Sequence, residues 1–136
     1  GTLEHTKHHF ALDFDGTAAV HTDGSGLTRP LGDVYQWAME FICEAKKRGH
    51  EVSIFTAREP ALHKAIAAHI LIATGHTLDV TDIKRPEFTV FIDDKAIRFT
   101  GDGECESLSE ISLNPKWAKK LHRYNLNPWW HPSHRK

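Results

Sequence analysis

Apolar positions along this chain come at two spacings, short unbroken runs and stripes of three and four, and the two kinds alternate. Phe10-Ala11-Leu12 is the first run. It climbs to Asp13, with Phe14 standing between Asp13 and Asp15 before Gly16-Thr17 closes it. A short apolar run bounded by Gly predicts a buried strand. Side chains alternate along a strand, so Asp13 and Asp15 would point to one side at its carboxyl end. Residues 18–31 hold Gly24, Ser25, Gly26 and Pro30 and predict a loop. Val34, Trp37, Ala38, Phe41, Ile42 and Ala45 then form the stripe of an amphipathic helix over 32–48. Lys46, Lys47 and Arg48 complement its negative end, and Gly49 is placed to stop it.

The alternation continues. Residues 51–56 predict a second strand, ending in Thr56-Ala57-Arg58. Pro60 suits a first helical position, and Leu62, Ile66, Ile70 and Ala73 mark a buried face as far as Gly75. A third strand is expected over 77–81 and a fourth over 88–92, the latter ending in Asp93-Asp94. Past Gly101 the pattern predicts a short helix over 104–111, and Asn114-Pro115 could cap another reaching Leu121. Strands alternating with helices at this spacing imply an α/β fold, Rossmann-like and doubly wound. A mostly parallel sheet with right-handed crossovers would form the centre of a three-layer sandwich. Neither 18–31 nor 75–84 is long enough for an inserted cap domain.

Length and composition set bounds on this picture. At 136 residues the chain suits one domain. It divides into a tag-like leader over 1–9, a catalytic domain over 10–113 and a tail over 114–136. A net charge of -1 with 26% charged residues implies neither a polyanionic partner nor a membrane surface. No apolar run approaches a membrane span and no signal peptide opens the chain. Two cysteines are too few for a disulfide framework and suit a reducing cytoplasm. Cys43, within the helical stripe, is expected in the core, and Cys105 at the surface. His5, His8 and His9 fall in the leader and are read as solvated. From Ile111 onward there is no acid, while Lys116, Lys119, Lys120, Arg123, Arg135 and Lys136 alternate with Trp117, Tyr124, Trp129 and Trp130. Such a tail either packs its rings on the domain or binds single-stranded nucleic acid through phosphate contacts and base stacking.

Three predicted strands thus end in polar groups: Asp13 and Asp15, Thr56 and Arg58, Asp93 and Asp94. In open α/β sheets ligands bind at the carboxyl ends of strands. Two carboxylates forced together there repel unless a cation or a shared proton relieves them. Asp13-Phe14-Asp15-Gly16-Thr17 resembles the first motif of the haloacid dehalogenase-like phosphatase superfamily. Thr56, Lys84 and Asp93-Asp94 fall where its second, third and fourth motifs are expected. Phe91-Ile92-Asp93-Asp94-Lys95-Ala96 resembles small bacterial and phage members, and is similar to the 3′-phosphatase domain of polynucleotide kinase-phosphatases.

The resemblance implies a Mg²⁺-dependent phosphomonoesterase. Asp13 would be the nucleophile and form an aspartyl-phosphate, and Asp15 would be the general acid and base, with its pKa shifted upward. Mg²⁺ would be held by Asp13, the backbone carbonyl of Asp15 and an acid of the Asp93-Asp94 pair. Thr56 and Lys84 would contact the phosphoryl group, with Arg85 or Lys95 as alternatives to Lys84. Arg58 is either a second phosphate contact or a solvated loop residue, and His21 either reaches the site mouth or lies on the surface. An uncapped site suits a phosphorylated substrate with a bulky end, such as a nucleotide or a nucleic-acid 3′-phosphate. Two other readings stand beside this one: a non-catalytic metal- or phosphate-binding regulatory protein, and a mutase-like phosphotransferase.

Overall fold

The computed structural model describes residues 8–93 and, beyond them, the backbone of two further strands. In chain order the elements are β1 (His9–Asp13), α1 (Gln36–Lys47), β2 (Glu51–Phe55), α2 (His63–Thr74), β3 (Asp79–Thr81), β4 (Val90–Ile92), β5 (Ala96–Phe99) and β6 (Glu104–Ser107). Short 3-10 turns at Gly26–Thr28 and Pro60–Leu62 precede α1 and α2. The sheet runs β3-β2-β1-β4-β5-β6. Its first four strands pair in parallel, and β5 and β6 add an antiparallel edge. This is the expected mostly parallel, Rossmann-like α/β fold, and among the described residues no cap domain interrupts it.

The strands hold their register because both faces of β1 and β2 are buried over three consecutive positions. Phe10, Leu12, Val52, Ile54, Val90 and Ile92 form one face. The stripe of α1 (Ala38, Phe41, Ile42 and Ala45) joins the same core, as do Ile66 and Ile70 of α2. Burying each of the larger side chains contributes roughly 1.5–3 kcal/mol, so a one-residue slip of β1 would turn its whole set away from the helices. The two helices touch each other, which places them in one layer. On the opposite side, Ala11 and Ser53 lie beneath rings: His9 meets Phe88 edge-on, Phe88 meets Phe91, and Phe91 meets Phe55. The helix expected to end near Leu121, which a third layer would use, lies outside the described residues.

Strand order explains where a ligand would sit. From β1 the chain moves to β2 and then β3 on one side, and returns to β4 on the other side of β1. The order therefore reverses between β1 and β4, the kind of crevice where ligands enter open α/β sheets.

Four sequence expectations need correction. The first helix begins at Gln36 rather than at residue 32, because the preceding backbone pairs sideways: Val20 N–H donates to Asp33 O (2.9 Å) and Tyr35 N–H to Ala18 O (2.8 Å). Where a helix was expected over 104–111, Glu104–Ser107 is β6, paired with β5. His8 and His9 belong to the domain and not to a leader, since His9 opens β1 and His8 is buried against His50. Cys43 lies on the exposed side of α1 rather than in the core.

Candidate active site

Parallel pairing brings three of the sequence-selected residues to one end of the sheet. Asp13 lies level with Phe55 on β2. Leu12 pairs with Ile92, the last pair of that register, so Asp13 and Asp93 are the next residues at two neighbouring strand ends across the reversal of strand order. Neighbouring strands lie about 4.8 Å apart, and residues level with each other share a face. Thr56 follows directly on β2, with its N–H donating to Thr81 O (2.9 Å). It is buried, and its hydroxyl oxygen accepts from the Arg58 N–H (3.0 Å), which curls the Thr56-Ala57-Arg58 loop back over the strand end.

After Asp13 the chain turns sharply. Ala18 N–H reaches back to Asp13 O (3.1 Å) and Gly16 N–H donates to Ala19 O (2.8 Å). Gly16 sits at φ 78°, a left-handed conformation that side chains resist, which accounts for glycine after the second acid. Thr17 donates its hydroxyl to Asp13 Oδ2 (3.2 Å), so the threonine of the motif steadies the first carboxylate.

That turn separates the two acids. Asp15 does not continue the strand beside Asp13 as alternation predicted. Its carboxylate is gripped by Arg58, with Nε donating to Oδ2 (2.9 Å) and Nη2 to Oδ1 (2.8 Å). The Arg58 side chain is 5% exposed and that of Asp15 17%. Burial works to raise the Asp15 pKa, but the hydrogen bonds and charge of Arg58 outweigh it, with Arg29 and His21 adding to them. The carboxyl is held below its ordinary value, opposite to the upward shift a general acid needs.

Arg58 is thus neither a solvated loop residue nor a free phosphate contact. Besides Asp15, it donates to Arg29 O (3.0 Å), Pro30 O (2.9 Å) and Thr22 Oγ1 (3.4 Å). These bonds fix the 20–31 loop against the strand ends. A second constraint lies at Gly32, where a Cβ would come within 2.0 Å of Val20 O, so only glycine lets the two segments approach. His69 of α2 meets the Gly32 carbonyl at 2.7 Å from its own side.

Comparison with protein-family models, curated proteins and solved structures returns no match. The site is therefore read from its own geometry.

Between the pinned loop and the start of α2 lies a cleft of about 240 Å³, lined by Asp15, Gly24, Ser25, Gly26, Arg29, Ala57, Arg58, Glu59 and Leu62. Lys84 is exposed in the loop after β3, two strands from Asp13, and makes no ion pair among the described residues. Arg85 pairs instead with Asp79 at 3.5 Å and lies over the Phe88 ring. His21 is exposed and reaches the Asp15 cluster indirectly, its Nδ1 3.4 Å from Arg29 Nη2. Asp94 and Lys95 lie outside the described residues.

Sequence reading passed over Arg29. Its guanidinium lies 3.4 Å from Asp15 Oδ1, and Arg29 stands far nearer to Asp15 in sequence than Arg58 does. The available signal was an arginine before Pro30 in a glycine-rich loop.

Among the described residues no group of three His, Cys, Asp or Glu side chains is gathered as a metal site. The Asp15 carboxylate is committed to Arg58. The other oxygen donors at these strand ends are Asp13, Asp93 and backbone carbonyl groups, an all-oxygen set. Mg²⁺ is commonly held by one or two carboxylates with its waters retained, so these donors fit it. Among the described residues no helix is long and apolar enough to cross a membrane.

Proposed function

We propose that this protein is a Mg²⁺-dependent phosphomonoesterase of the haloacid dehalogenase-like type, acting through an aspartyl-phosphate on Asp13. The observation that carries this reading is the adjacency of Asp13 and Asp93 at the point where strand order reverses, with Thr56 at the next strand end. A phosphomonoester carries negative charge, so carboxylates gathered where ligands enter make chemical sense only with a cation between them and the phosphate.

In this reading Asp13 Oδ attacks phosphorus and the ester oxygen leaves with the bonding pair. A second displacement by water on the phosphoaspartate then releases phosphate and regenerates the carboxylate. Thr17 holds one Asp13 oxygen, which orients the other for attack. Thr56 spends its oxygen on the Arg58 N–H and keeps its hydroxyl hydrogen to donate to a phosphoryl oxygen. Bound Mg²⁺, held by Asp13, Asp93 and the Asp15 carbonyl, would supply charge neutralisation. The ionised Asp15 can accept a proton from the attacking water. Protonating the leaving alcohol would require its pairing with Arg58 to loosen first.

The Asp15–Arg58 pair also favours a second reading, a metal- and phosphate-binding protein without turnover, because the acid is held in its unprotonated form. Assay of a phosphomonoester panel with Mg²⁺ separates the two. The enzyme reading expects turnover that falls by two orders of magnitude or more in Asp13→Asn while the melting curve stays cooperative. Turnover in Asp13→Asn near that of the parent would refute the covalent route.

A further inference from the structure

The cleft beside Asp15 contains two arginines against one carboxylate, and they are used differently. Arg58 donates from all three of its nitrogens to partners within the domain. Arg29 donates from Nε to Thr22 O (3.0 Å) and Thr22 Oγ1 (3.3 Å). Its Nη2 lies 3.4 Å from both Asp15 Oδ1 and His21 Nδ1. Its Nη1 has no partner among the described residues, and the Arg29 side chain, 19% exposed, lines the cleft. Arg58 already neutralises Asp15 through two close bonds, so the remaining charges of the lining are the Arg29 guanidinium and Glu59, with Gly24, Ser25 and Gly26 beside Arg29 in the same loop.

We propose that Arg29 is the specificity-determining residue of this cleft, receiving a second phosphate-type anion carried on the leaving portion of the substrate. The proposal rests on the phosphatase reading: Asp15 serves the leaving oxygen, so the leaving group extends past Asp15 into the cleft that Asp15 lines. Because Arg58 pins the 20–31 loop through the Arg29 and Pro30 carbonyls, Arg29 is presented from a fixed rim and not from a wandering lid. A guanidinium nitrogen with hydrogens still to donate matches an oxygen of a phosphate or phosphodiester. Glu59 is the opposing charge. It enters the lining from the 57–62 segment, its Oε1 4.0 Å from where a Gly26 Cβ would be, and it repels an anion that strays from Arg29.

The test compares a nucleoside 3′-phosphate with the corresponding 3′,5′-bisphosphate, which differ only by the second anion. Calorimetric titration of the Asp13→Asn protein reads binding without turnover. The bisphosphate should bind roughly ten- to a hundred-fold more tightly, as one charged hydrogen-bonded contact would give. Adding Arg29→Gln should erase most of that ratio, and adding Glu59→Gln, an exposed position, should widen it. In the wild-type chain with Mg²⁺, the kcat/KM ratio for the two substrates should move in the same directions. Equal binding of the pair, or a preference that survives Arg29→Gln, overturns the proposal. Failure of the wild-type chain to turn over either substrate, with the Arg29-dependent binding ratio intact, refutes the enzyme reading and leaves the anion site standing. Turnover of both at equal kcat/KM, unmoved by either variant, does the reverse.

Discussion

Replacing Arg58 by Met should destabilise the domain by about 3 kcal/mol at neutral pH. Methionine keeps much of the apolar stem but not the guanidinium, whose Cζ lies 5.8 Å from the centre of the Phe14 ring, so the loss is mostly polar. Five hydrogen bonds disappear: the two to Asp15, at 2.9 and 2.8 Å, those to Arg29 O and Pro30 O, at 3.0 and 2.9 Å, and a longer one to Thr22 Oγ1 at 3.4 Å. Removing one partner of a buried ion pair costs about 3–5 kcal/mol, because the other charge is stranded. Here the stranding is incomplete. Arg29 Nη2 remains 3.4 Å from Asp15 Oδ1, and Pro30 is exposed, so water can take over its carbonyl. Both facts place the cost at the lower end of that range.

Urea denaturation followed by tryptophan fluorescence reads the change as a lower midpoint at unchanged slope. In thermal melts the same cost corresponds to a fall of roughly 10 °C for a chain of this size. Arg58→Lys should recover only part of the loss, since an ammonium keeps the charge but cannot form the paired contact with both Asp15 oxygens. If Arg58→Met stayed within about 1 kcal/mol of the parent, Arg58 would not be what fixes the 20–31 loop. Its place in the proposed cleft would then have to be reconsidered.

Three further outcomes follow from other parts of the molecule. Gly32→Ala should cost about 1–3 kcal/mol in the same denaturation assay, because its Cβ would meet a backbone oxygen and not a yielding side chain. His9, hydrogen-bonded to Ser53 at 2.7 Å, has its pKa lowered from 6.5 chiefly by burial, against the pull of Glu51 and Glu87. The neutral ring is therefore the folded form: its contribution is present above pH 6.5 and is lost as pH falls through the lower folded value. Stability of the parent should drop across that interval, and His9→Gln should flatten the part of the drop that His9 causes. A parallel pH dependence in the two proteins would refute that assignment. Finally, chelation should abolish phosphatase turnover and Mg²⁺ should restore it and raise Tm, since a cation bound only by the folded state stabilises it. Chelator-resistant turnover with no thermal shift would remove the metal from the mechanism.

Local periodicity made the framework legible. The runs ending at Leu12, Phe55 and Ile92 are β1, β2 and β4, and the stripe from Val34 to Ala45 is centred on α1. Each is a statement about neighbours three or four residues apart, which is the range over which sequence pattern and backbone geometry are coupled. The hairpin of β5 and β6 was missed although Gly101-Asp102-Gly103 stands between the two strands, a turn signal that the charge-rich flanks obscured. His8 was assigned to solvent on its polarity, whereas its backbone N–H donates to His50 Nδ1, 42 residues away, and its ring lies buried. A polar residue near a chain end says little about burial when its partner is that distant.

The site divides along the same line. Asp13 and Asp93 could be placed together because strand ends in an α/β sheet converge whatever the intervening residues are. The state of Asp15 could not, because it depends on one guanidinium arriving from 43 positions away and on a turn that takes the acid off the strand axis. Sequence alone offered Arg58 as either a ligand contact or a surface residue, and the structure gives it a third role, as the tie between acid, strand end and loop. That tie changes what an uncapped site means. With the 20–31 loop fixed by Arg58 and by the close approach at Gly32, the rim of the cleft is set by the fold. In the proposed reading, discrimination among substrates then falls to the few side chains the rim presents, and Arg29, cationic and partly unengaged, is the one proposed to receive an anion.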